Sequence, residues 1–459
     1  MKNYDSIIIG TGQSTYVVVS GLRARGQKIA VVEADRFGGT CLNFGCTPTK
    51  TIVASARAAH MARRGADYGV TTGPVEIDFP RVMERQNSIR DEGTKGFGDY
   101  LKKNCDVYQE WGSFEGPNEV RVGDEVIRGE TIYIHTGARA RLLNLPGLNT
   151  IDYLDNKSIL DLKERPEHLI IVGGSYIALE FGQAFRRLGS KVTILQRGPE
   201  IMTKEDPDVA KMVHEVFERE GIDIICNADV QAFTSGDSTT SPGGVTVELS
   251  VDGKPLTVSG SHVLLAVGRV PNSDKLNLEA AGVKTDERGF IEVNDRLQTS
   301  APHIYALGDV NGRGAFTHTS VNDGEIIVHN LDGADWTVSD RIQTYGMFVD
   351  PPLGRVGMNE QQARASGRRI LQGTMPMSRI SRAKEKDETD GVAKILVDAE
   401  SDMIVGATIL GVGGDEIVNM ITAWMYSGLP CKNFRRAVLI HPTVAELMPW
   451  VLDNLSPLE

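Results

Sequence analysis

Cysteine is scarce in this chain of 459 residues: Cys41, Cys46, Cys105, Cys226 and Cys431 make five in all. That is too few, and too scattered, for a secreted scaffold held together by disulfides. There is no apolar run of bilayer-spanning length, and no secretory leader is read at the N-terminus, because the apolar stretch Ser6–Ile9 is short and Gly10 ends it. Positive charge is in deficit, with 49 Lys and Arg against 61 Asp and Glu and a net charge of −12. That balance counts against nucleic acid or an anionic membrane as the partner. No low-complexity segment interrupts the chain. What remains is an ordinary globular composition, 41% hydrophobic and 24% charged. The length exceeds one core, so roughly two to four domains and a cytoplasmic location are expected.

Two of the cysteines share one compact stretch, Gly38-Gly39-Thr40-Cys41-Leu42-Asn43-Phe44-Gly45-Cys46-Thr47-Pro48-Thr49-Lys50. The spacing lets one helical turn bring both sulfurs within bonding reach, with the glycines and Pro48 shaping how the chain enters and leaves. A reversible dithiol needs this arrangement: two sulfurs held together, one open to substrate and the other facing an electron source. Zinc would need further ligands at short spacing, and none lies nearby, so no metal is assigned.

Upstream, residues 5–9 read as a buried parallel strand running into Gly10-Thr11-Gly12-Gln13-Ser14-Thr15, with a helix to about Arg25 and a strand from Lys28 to Glu33. This unit carries most of a dinucleotide fingerprint. Gly10 permits the tight turn, Gly12 lets the backbone approach a pyrophosphate at the helix N-terminus, and Glu33 can accept hydrogen bonds from a ribose. Thr15 replaces the third small residue, for which packing strain on the order of 1–3 kcal/mol is expected.

A second unit of the same frame begins at Leu169 and runs into Gly173-Gly174-Ser175-Tyr176-Ile177-Ala178-Leu179-Glu180, a helix to about Arg187 and the strand Lys191–Leu195. Glu33 stands 23 residues after Gly10, and Gln196 stands 23 after Gly173. The acid that would meet a free 2′-hydroxyl is therefore neutral in the second unit, and Arg197 follows it. That pairing suits a 2′-phosphate, hence NADPH, with NADH possible.

Between the two units, residues 52–104 read as helix-rich with a solvated charged face, followed by strands over Asp106–Phe114, Glu119–Val122 and Thr131–His135. The last of these ends in a glycine turn at Gly137. Beyond Gly221 come short strands and a Ser/Thr/Gly hairpin from Ser235 to Gly244. A buried strand from His262 is broken at Gly268 and Pro271, and a second from His303 ends at Gly308 and Asp309, where a carboxylate can bond a cofactor hydroxyl. His318, close by, reads as structural. The C-terminal portion alternates strands (Tyr345–Val349, Val392–Val397, Ile404–Leu410) with helices (Glu360–Ala365, Asp415–Tyr426). Near its end His441-Pro442-Thr443-Val444-Ala445-Glu446 suits an acid/base pair, with Pro442 opening the final helix and Glu446 holding the imidazole.

Taken together these motifs resemble the class I pyridine nucleotide–disulfide oxidoreductases, the family of glutathione reductase, dihydrolipoamide dehydrogenase and mercuric reductase. GGTCLNFGCTPTK is similar to the family's redox-active motif, LLAVGRVPN and IYALGDV to its two later strand tips, and HPTVAE to its C-terminal acid/base motif. The Thr49-Lys50 ending, the stretch from Pro351 to Met358 and HPTVAE look most like the mercuric-reductase-like branch, which also contains a copper-reducing flavoprotein of reactive-chlorine resistance. The tail lacks the vicinal cysteine pair of mercuric reductases, and no N-terminal metal-binding domain is read, which counts against Hg(II) as acceptor.

The resemblance implies an α/β fold with two Rossmann-like nucleotide-binding domains and a C-terminal α+β dimerisation domain. FAD would be held by residues 1–145 and 272–340, NAD(P)H by 146–271, and the interface would be 341–459. FAD would lie along Gly10, Gly12, Ser14, Glu33, Gly39, Thr40, Gly112, Gly137, Gly308 and Asp309, with Lys50 beside the flavin and paired with Glu180. NADPH would bind at Gly173, Gly174, Ser175, Ile177, Gln196, Arg197 and Gly268. Cys46 would be the flavin-side thiolate and Cys41 the thiol that attacks substrate. His441 and Glu446 would serve the opposite subunit of a homodimer. The acceptor implied is a disulfide, a small oxidant or a metal ion. A dihydrolipoamide dehydrogenase-type subunit of an oxo-acid complex is the alternative enzyme, disfavoured by Gln196. A catalytically degenerate flavin-binding protein is the other, disfavoured by the intact Cys41, Cys46, Lys50, Glu180, His441 and Glu446.

Overall fold

A computed structural model describes residues 1–235 and 244–458. The chain opens with β1 (Lys2–Ile9), α1 (Ser14–Ala24) and β2 (Ile29–Val32), followed by α2 (Gly39–Phe44), α3 (Cys46–Arg63) and α4 (Phe79–Asn104). Then come β3 (Asp106–Tyr108), β4 (Gly112–Gly116), β5 (Glu119–Val122), β6 (Glu125–Ile134) and β7 (Ala138–Ala140). The next stretch holds β8 (Tyr153–Leu154), β9 (His168–Val172), α5 (Tyr176–Arg187), β10 (Lys191–Leu195), α6 (Pro207–Arg219) and β11 (Asp223–Ile225). It continues through β12 (Ala228–Ser235), β13 (Val245–Val251), β14 (Lys254–Gly260), β15 (His262–Leu265) and β16 (Arg269–Pro271) to β17 (Ile304–Ala306) and α7 (Thr317–Leu331). The last stretch comprises β18 (Thr344–Met347), β19 (Leu353–Gly357), α8 (Glu360–Ala365), β20 (Ile370–Pro376), α9 (Ser381–Glu385), β21 (Val392–Asp398), β22 (Met403–Leu410), α10 (Gly414–Ser427), α11 (Cys431–Arg435), α12 (Met448–Val451) and β23 (Ser456–Pro457).

The first sheet has seven strands in the order β3-β2-β1-β6-β5-β4, with β17 added beside the end of β6. Strands β1, β2, β3, β6 and β17 run parallel, and the Ile-rich run of β1 is buried because helices cover both faces of such a sheet. The second sheet, β11-β10-β9-β15-β8, is parallel throughout. Where the chain leaves the first sheet and later returns, β7 and β16 pair antiparallel, Ala138 opposite Pro271. The third sheet, β18-β19-β22-β21-β20-β23, is antiparallel. Parallel sheets with crossover helices and a separate antiparallel sheet are the α/β plan expected, two Rossmann-like units and an α+β third. Helix α5 is buried along most of its length because α3 and α4 cover the side that the sheet does not. Phe79 meets Phe185 with ring centroids 6.0 Å apart, which seats α4 against α5.

Several local expectations change. Cys41 and Cys46 do not share one helical turn: Cys41 lies within α2 and Cys46 opens α3, with the backbone leaving helical geometry at Gly45 (φ −145°, ψ −114°). The strand expected over Asp106–Phe114 is split into β3 and β4. Pro442 opens no helix; a short 3-10 turn (Ala445–Leu447) follows, and the proline in the first turn of α12 is Pro449. Strands β19 and β20 carry no clear strand pattern in the sequence, because β19 holds two glycines and a proline ends β20. Of the hairpin expected at Ser235–Gly244, residues 236–243 lie outside the described residues. Among the described residues no helix is long and apolar enough to cross a membrane.

Candidate active site

A cavity of about 660 Å3 runs from the glycine turn after β1, past the Cys41–Cys46 stretch, to the start of α5. Its floor is bare backbone. Gly10 has φ +95°, and a Cβ there would lie 2.3 Å from the His135 carbonyl oxygen, so glycine is what permits the close approach of the turn to β6. A Cβ on Gly12 would strike the His135 ring, and one on Gly39 would come within 3.0 Å of the Gly12 Cα.

Below this floor His135 is buried. Its Nδ1 lies 3.0 Å from Thr15 Oγ1, and its Nε2 lies 3.1 Å from Ser14 Oγ and 2.9 Å from Ser320 Oγ. Burial pushes its pKa down to about 4, leaving a neutral ring among three hydroxyls. Thr15 therefore has a hydrogen-bonding partner for the hydroxyl that was expected only to crowd the helix–strand contact.

Glu33 is already engaged. Its Oε2 accepts from the Thr11 backbone and hydroxyl and its Oε1 from Asp35 N at 2.8 Å; burial nonetheless raises its pKa above the ordinary value. Oε1 retains a lone pair for a ribose hydroxyl, whereas both lone pairs of Oε2 are taken. Gly112, Gly137 and Asp309 line the same cavity. Arg269 reaches across from β16, donating to Thr40 Oγ1 at 3.4 Å and to the Ala138 carbonyl, with Asp309 Oδ2 at 3.6 Å. Its buried Nε has no partner. Burial raises the Asp309 pKa against the opposing pull of Arg269.

At the other end of the cavity stand the sulfurs, both free thiols. Cys41 donates its S–H toward Cys46. That hydrogen bond, with help from the Thr317 hydroxyl 3.4 Å away and the Lys50 ammonium, holds the Cys46 pKa below its ordinary value. The same contact and burial raise the pKa of Cys41. Lys50 Nζ lies 2.7 Å from Glu180 Oε2 and 4.6 Å from the centroid of the Phe348 ring. Glu180, 3% exposed, takes the Phe348 backbone N–H on its other oxygen at 2.9 Å. One carboxylate thereby ties α3 and α5 to the segment after β18.

The second glycine loop stands alongside, with Tyr176 and Ile177 projecting into the cavity. A Cβ on Gly173 (φ +120°) would lie 2.3 Å from the Ala266 carbonyl oxygen, and one on Gly174 would press on the Gln196 side chain. Gln196 donates to the Glu200 carbonyl at 2.9 Å, whereas Ser175 and Arg197 are exposed. His441 and Glu446 do pair, Nδ1 to Oε1 at 2.9 Å, but His441 is 75% exposed and does not line the cavity.

A family model described as pyridine nucleotide-disulphide oxidoreductase matches residues 4–324, and a model of that family's dimerisation domain matches residues 344–452. The chain belongs to the pyridine nucleotide-disulphide oxidoreductase family. The probable pyridine nucleotide-disulfide oxidoreductase RclA of Escherichia coli (strain K12) is 34% identical over 97% of this chain and 98% of its own. A mercuric reductase of Staphylococcus aureus is 30% identical over 97% of this chain and 81% of its own. The solved Cu(II) complex of the HOCl-induced flavoprotein disulfide reductase RclA from Escherichia coli superposes with a TM-score of 0.88 at 34% identity, covering 99% of each chain.

Members of this oxidoreductase family use FAD and a pyridine nucleotide, and the residues present fit FAD. The unpartnered Nε of Arg269, the bare glycine floor and the positive end of α1 suit a pyrophosphate. The residues that motif reading missed are His135, Arg269, Thr317, Tyr176 and Phe348. Arg269 follows Gly268 directly and Tyr176 lies inside the second fingerprint, so both stood within motifs already singled out. Nothing local marks His135, Thr317 or Phe348; strand pairing and chain return bring them in.

Proposed function

We propose that this chain passes electrons from NADPH, through FAD, to the Cys41–Cys46 pair and on to a disulfide, a small oxidant or a metal ion. The observation that carries the reading is the unequal thiol pair: Cys46 is eased toward thiolate by Cys41, Thr317 and Lys50 at the end of a cavity whose other end suits a dinucleotide. Residues 1–145 and 272–340 hold FAD, 146–271 hold the coenzyme and 341–459 make a homodimer. FAD when bound supplies two-electron exchange between the coenzyme and the dithiol.

The chain's own groups do the rest. Gly10, Gly12, Ser14, Glu33, Gly39, Thr40, Gly112, Gly137, Gly308 and Asp309 bind and orient FAD. Gly173, Gly174, Ser175, Ile177, Gln196, Arg197 and Gly268 hold the coenzyme. Lys50, fixed by Glu180, supplies a positive charge beside Cys46. In the reductive half, the Cys41–Cys46 disulfide takes up two electrons and two protons and opens to two thiols. In the oxidative half, Cys41 attacks an acceptor disulfide, Cys46 closes on the mixed disulfide, and the S–S bond re-forms within the chain. The partner subunit's His441, held by its own Glu446, protonates the leaving thiolate. A metal-ion acceptor belongs in the set because one similar solved structure is a Cu(II) complex and another relative is a mercuric reductase.

The test is NADPH oxidation by the FAD-loaded enzyme against glutathione disulfide, other thiol disulfides, lipoamide, Cu(II), Hg(II) and quinones. At least one should be turned over at a rate that Cys41→Ser abolishes. If no acceptor outpaces dioxygen, or if Cys41→Ser keeps the full rate, the reading fails.

A further inference from the structure

Away from that cavity, one group of side chains among the described residues has the chemistry of a metal site. Glu200, His214 and Cys226 are half-buried, and each offers a ligand atom within 4.8 Å of the others. They come from separate stretches: the loop after β10, the middle of α6 and the residue after β11. Parallel pairing of β10 with β11, Leu195 opposite Ile225, sets two of those stretches side by side, and α6 lies between them in the chain. His214 Nδ1 is 2.6 Å from Glu200 Oε1, and its Nε2 is 3.6 Å from Glu218 Oε1. A ring with one nitrogen toward a ligand set and the other toward a carboxylate is the arrangement in which an outer carboxylate fixes the tautomer of a metal-bound histidine.

The plainer reading is a histidine–glutamate hydrogen bond with a cysteine nearby, and Glu200 Oε1 does accept from Ile201 N at 2.8 Å. The sulfur argues for more. It lies within 4.8 Å of both the Glu200 oxygen and the His214 nitrogen although neither residue neighbours it in the chain, so three different donor atoms converge on one point. A cation supplies what this cluster lacks.

We propose that Glu200, His214 and Cys226 form a binding site for a borderline divalent cation of the zinc class, with a fourth position open to water. Carboxylate oxygen, imidazole nitrogen and thiolate sulfur are the donors such an ion takes. Bond lengths of about 2.0–2.3 Å in a tetrahedron set ligand atoms about 3.3–3.7 Å apart. Binding therefore opens the His214–Glu200 contact by roughly 1 Å and draws the sulfur inward. The Cys226 thiol proton leaves to solvent as the sulfur–metal bond forms, and the proton that His214 Nδ1 holds toward Glu200 is displaced from that nitrogen, leaving the metal-bound imidazole with its one proton on Nε2, facing Glu218. Because Gln196 Nε2 donates to the Glu200 carbonyl, the cation also clamps the loop that carries Gln196 and Arg197.

The experiment uses the FAD-loaded double variant Cys41→Ser/Cys46→Ser, so that the dithiol cannot compete, stripped with a chelator and titrated with Zn(II) against a chromophoric competitor. One zinc per chain is expected to remain after desalting, counted by plasma emission, and the thermal midpoint should rise with zinc. Adding Cys226→Ser or His214→Gln should weaken binding by about 100-fold or more and remove the thermal shift, and Glu218→Gln should weaken it about 10- to 100-fold. Circular dichroism confirms folding first, and Glu200→Gln replaces any variant that fails it. No zinc retained by the parent, or equal affinity in the folded ligand variants, overturns the site.

Discussion

Between Cys41 and Cys46 a single shared proton decides which sulfur is the better nucleophile toward its neighbour. Cys41 carries it and Cys46 accepts the hydrogen bond, so Cys46 titrates below its ordinary range and Cys41 above. Cys46→Ser should therefore abolish the long-wavelength absorbance band expected of a thiolate beside flavin. Cys41→Ser should keep that band and lose turnover, whereas Cys41→Ala should move the band's pKa upward because the donated hydrogen bond is gone. Full disulfide reduction by Cys41→Ser, read in the same spectrophotometric titration, would reverse the assignment. His135 makes a second prediction. Its folded pKa lies near 4, below the ordinary 6.5, so the unfolded chain binds more protons as pH drops through that window and stability falls. The loss should reach about 2 kcal/mol between pH 7 and pH 5. His135→Asn should flatten that slope in urea unfolding; an unchanged slope would mean that the buried ring is not the titrating group.

Loops at strand ends carry the next scale. After β10, Gln196 packs on Gly174 and Arg197 faces solvent, where a guanidinium can pair with a 2′-phosphate. NADPH should reduce the bound flavin faster or more tightly than NADH in stopped flow, and Arg197→Glu should reverse the order. Tighter binding of NADH by the wild type would sink that preference. A buried ion network joins the third sheet to the start of α6. Arg355 on β19 meets Glu205 Oε2 at 3.2 Å, Asp206 Oδ2 at 3.6 Å and Thr408 Oγ1 at 2.8 Å, and Lys394 on β21 meets Asp206, Asp208 and Glu360. Arg355→Met leaves Glu205 and Asp206 buried with less compensation, so a loss of about 3–5 kcal/mol is expected in the urea midpoint at constant slope. A loss below about 1 kcal/mol would show that Lys394 alone suffices.

At the scale of the whole molecule, His441 stands exposed with Glu446 bonded to it, away from the cavity that holds the dithiol. Val438 and Ile440, just before it, are 98% and 80% exposed, and Trp450 and Tyr426 are exposed on the same unit. Apolar side chains left in water beside an acid/base pair fit a two-fold interface that buries them and delivers each His441 to the opposite dithiol. Two inactive variants, Cys41→Ser and His441→Ala, should then restore activity when their subunits are exchanged, one good site forming in each heterodimer. A tag on one variant verifies the exchange. Tagged heterodimers no more active than either parent would refute the shared site.

Chemistry written in consecutive residues was open to reading in the sequence. The turns at Gly10 and Gly173, the strand–helix–strand frames behind them and the stretch from Cys41 to Lys50 depend on spacing and on which residues tolerate a bare or positive-φ backbone. The matched positions of Glu33 and Gln196 follow from the same repeated frame. The break at Gly45 escaped, because helical spacing alone does not say where one helix stops and the next begins. Tertiary structure alone decided what β-pairing and chain return assemble: His135 beneath the floor through the β1–β6 register, Arg269 beside Asp309 through β7 and β16, and Phe348 bonded to Glu180 from the third sheet. The Glu200, His214 and Cys226 cluster belongs there too, since its members stand 14 and 12 residues apart in the chain and only the meeting of two strand ends and a helix brings their ligand atoms together. Local sequence sets backbone conformation over a few residues, whereas side chains distant in the chain meet only where the sheets, once closed, put them.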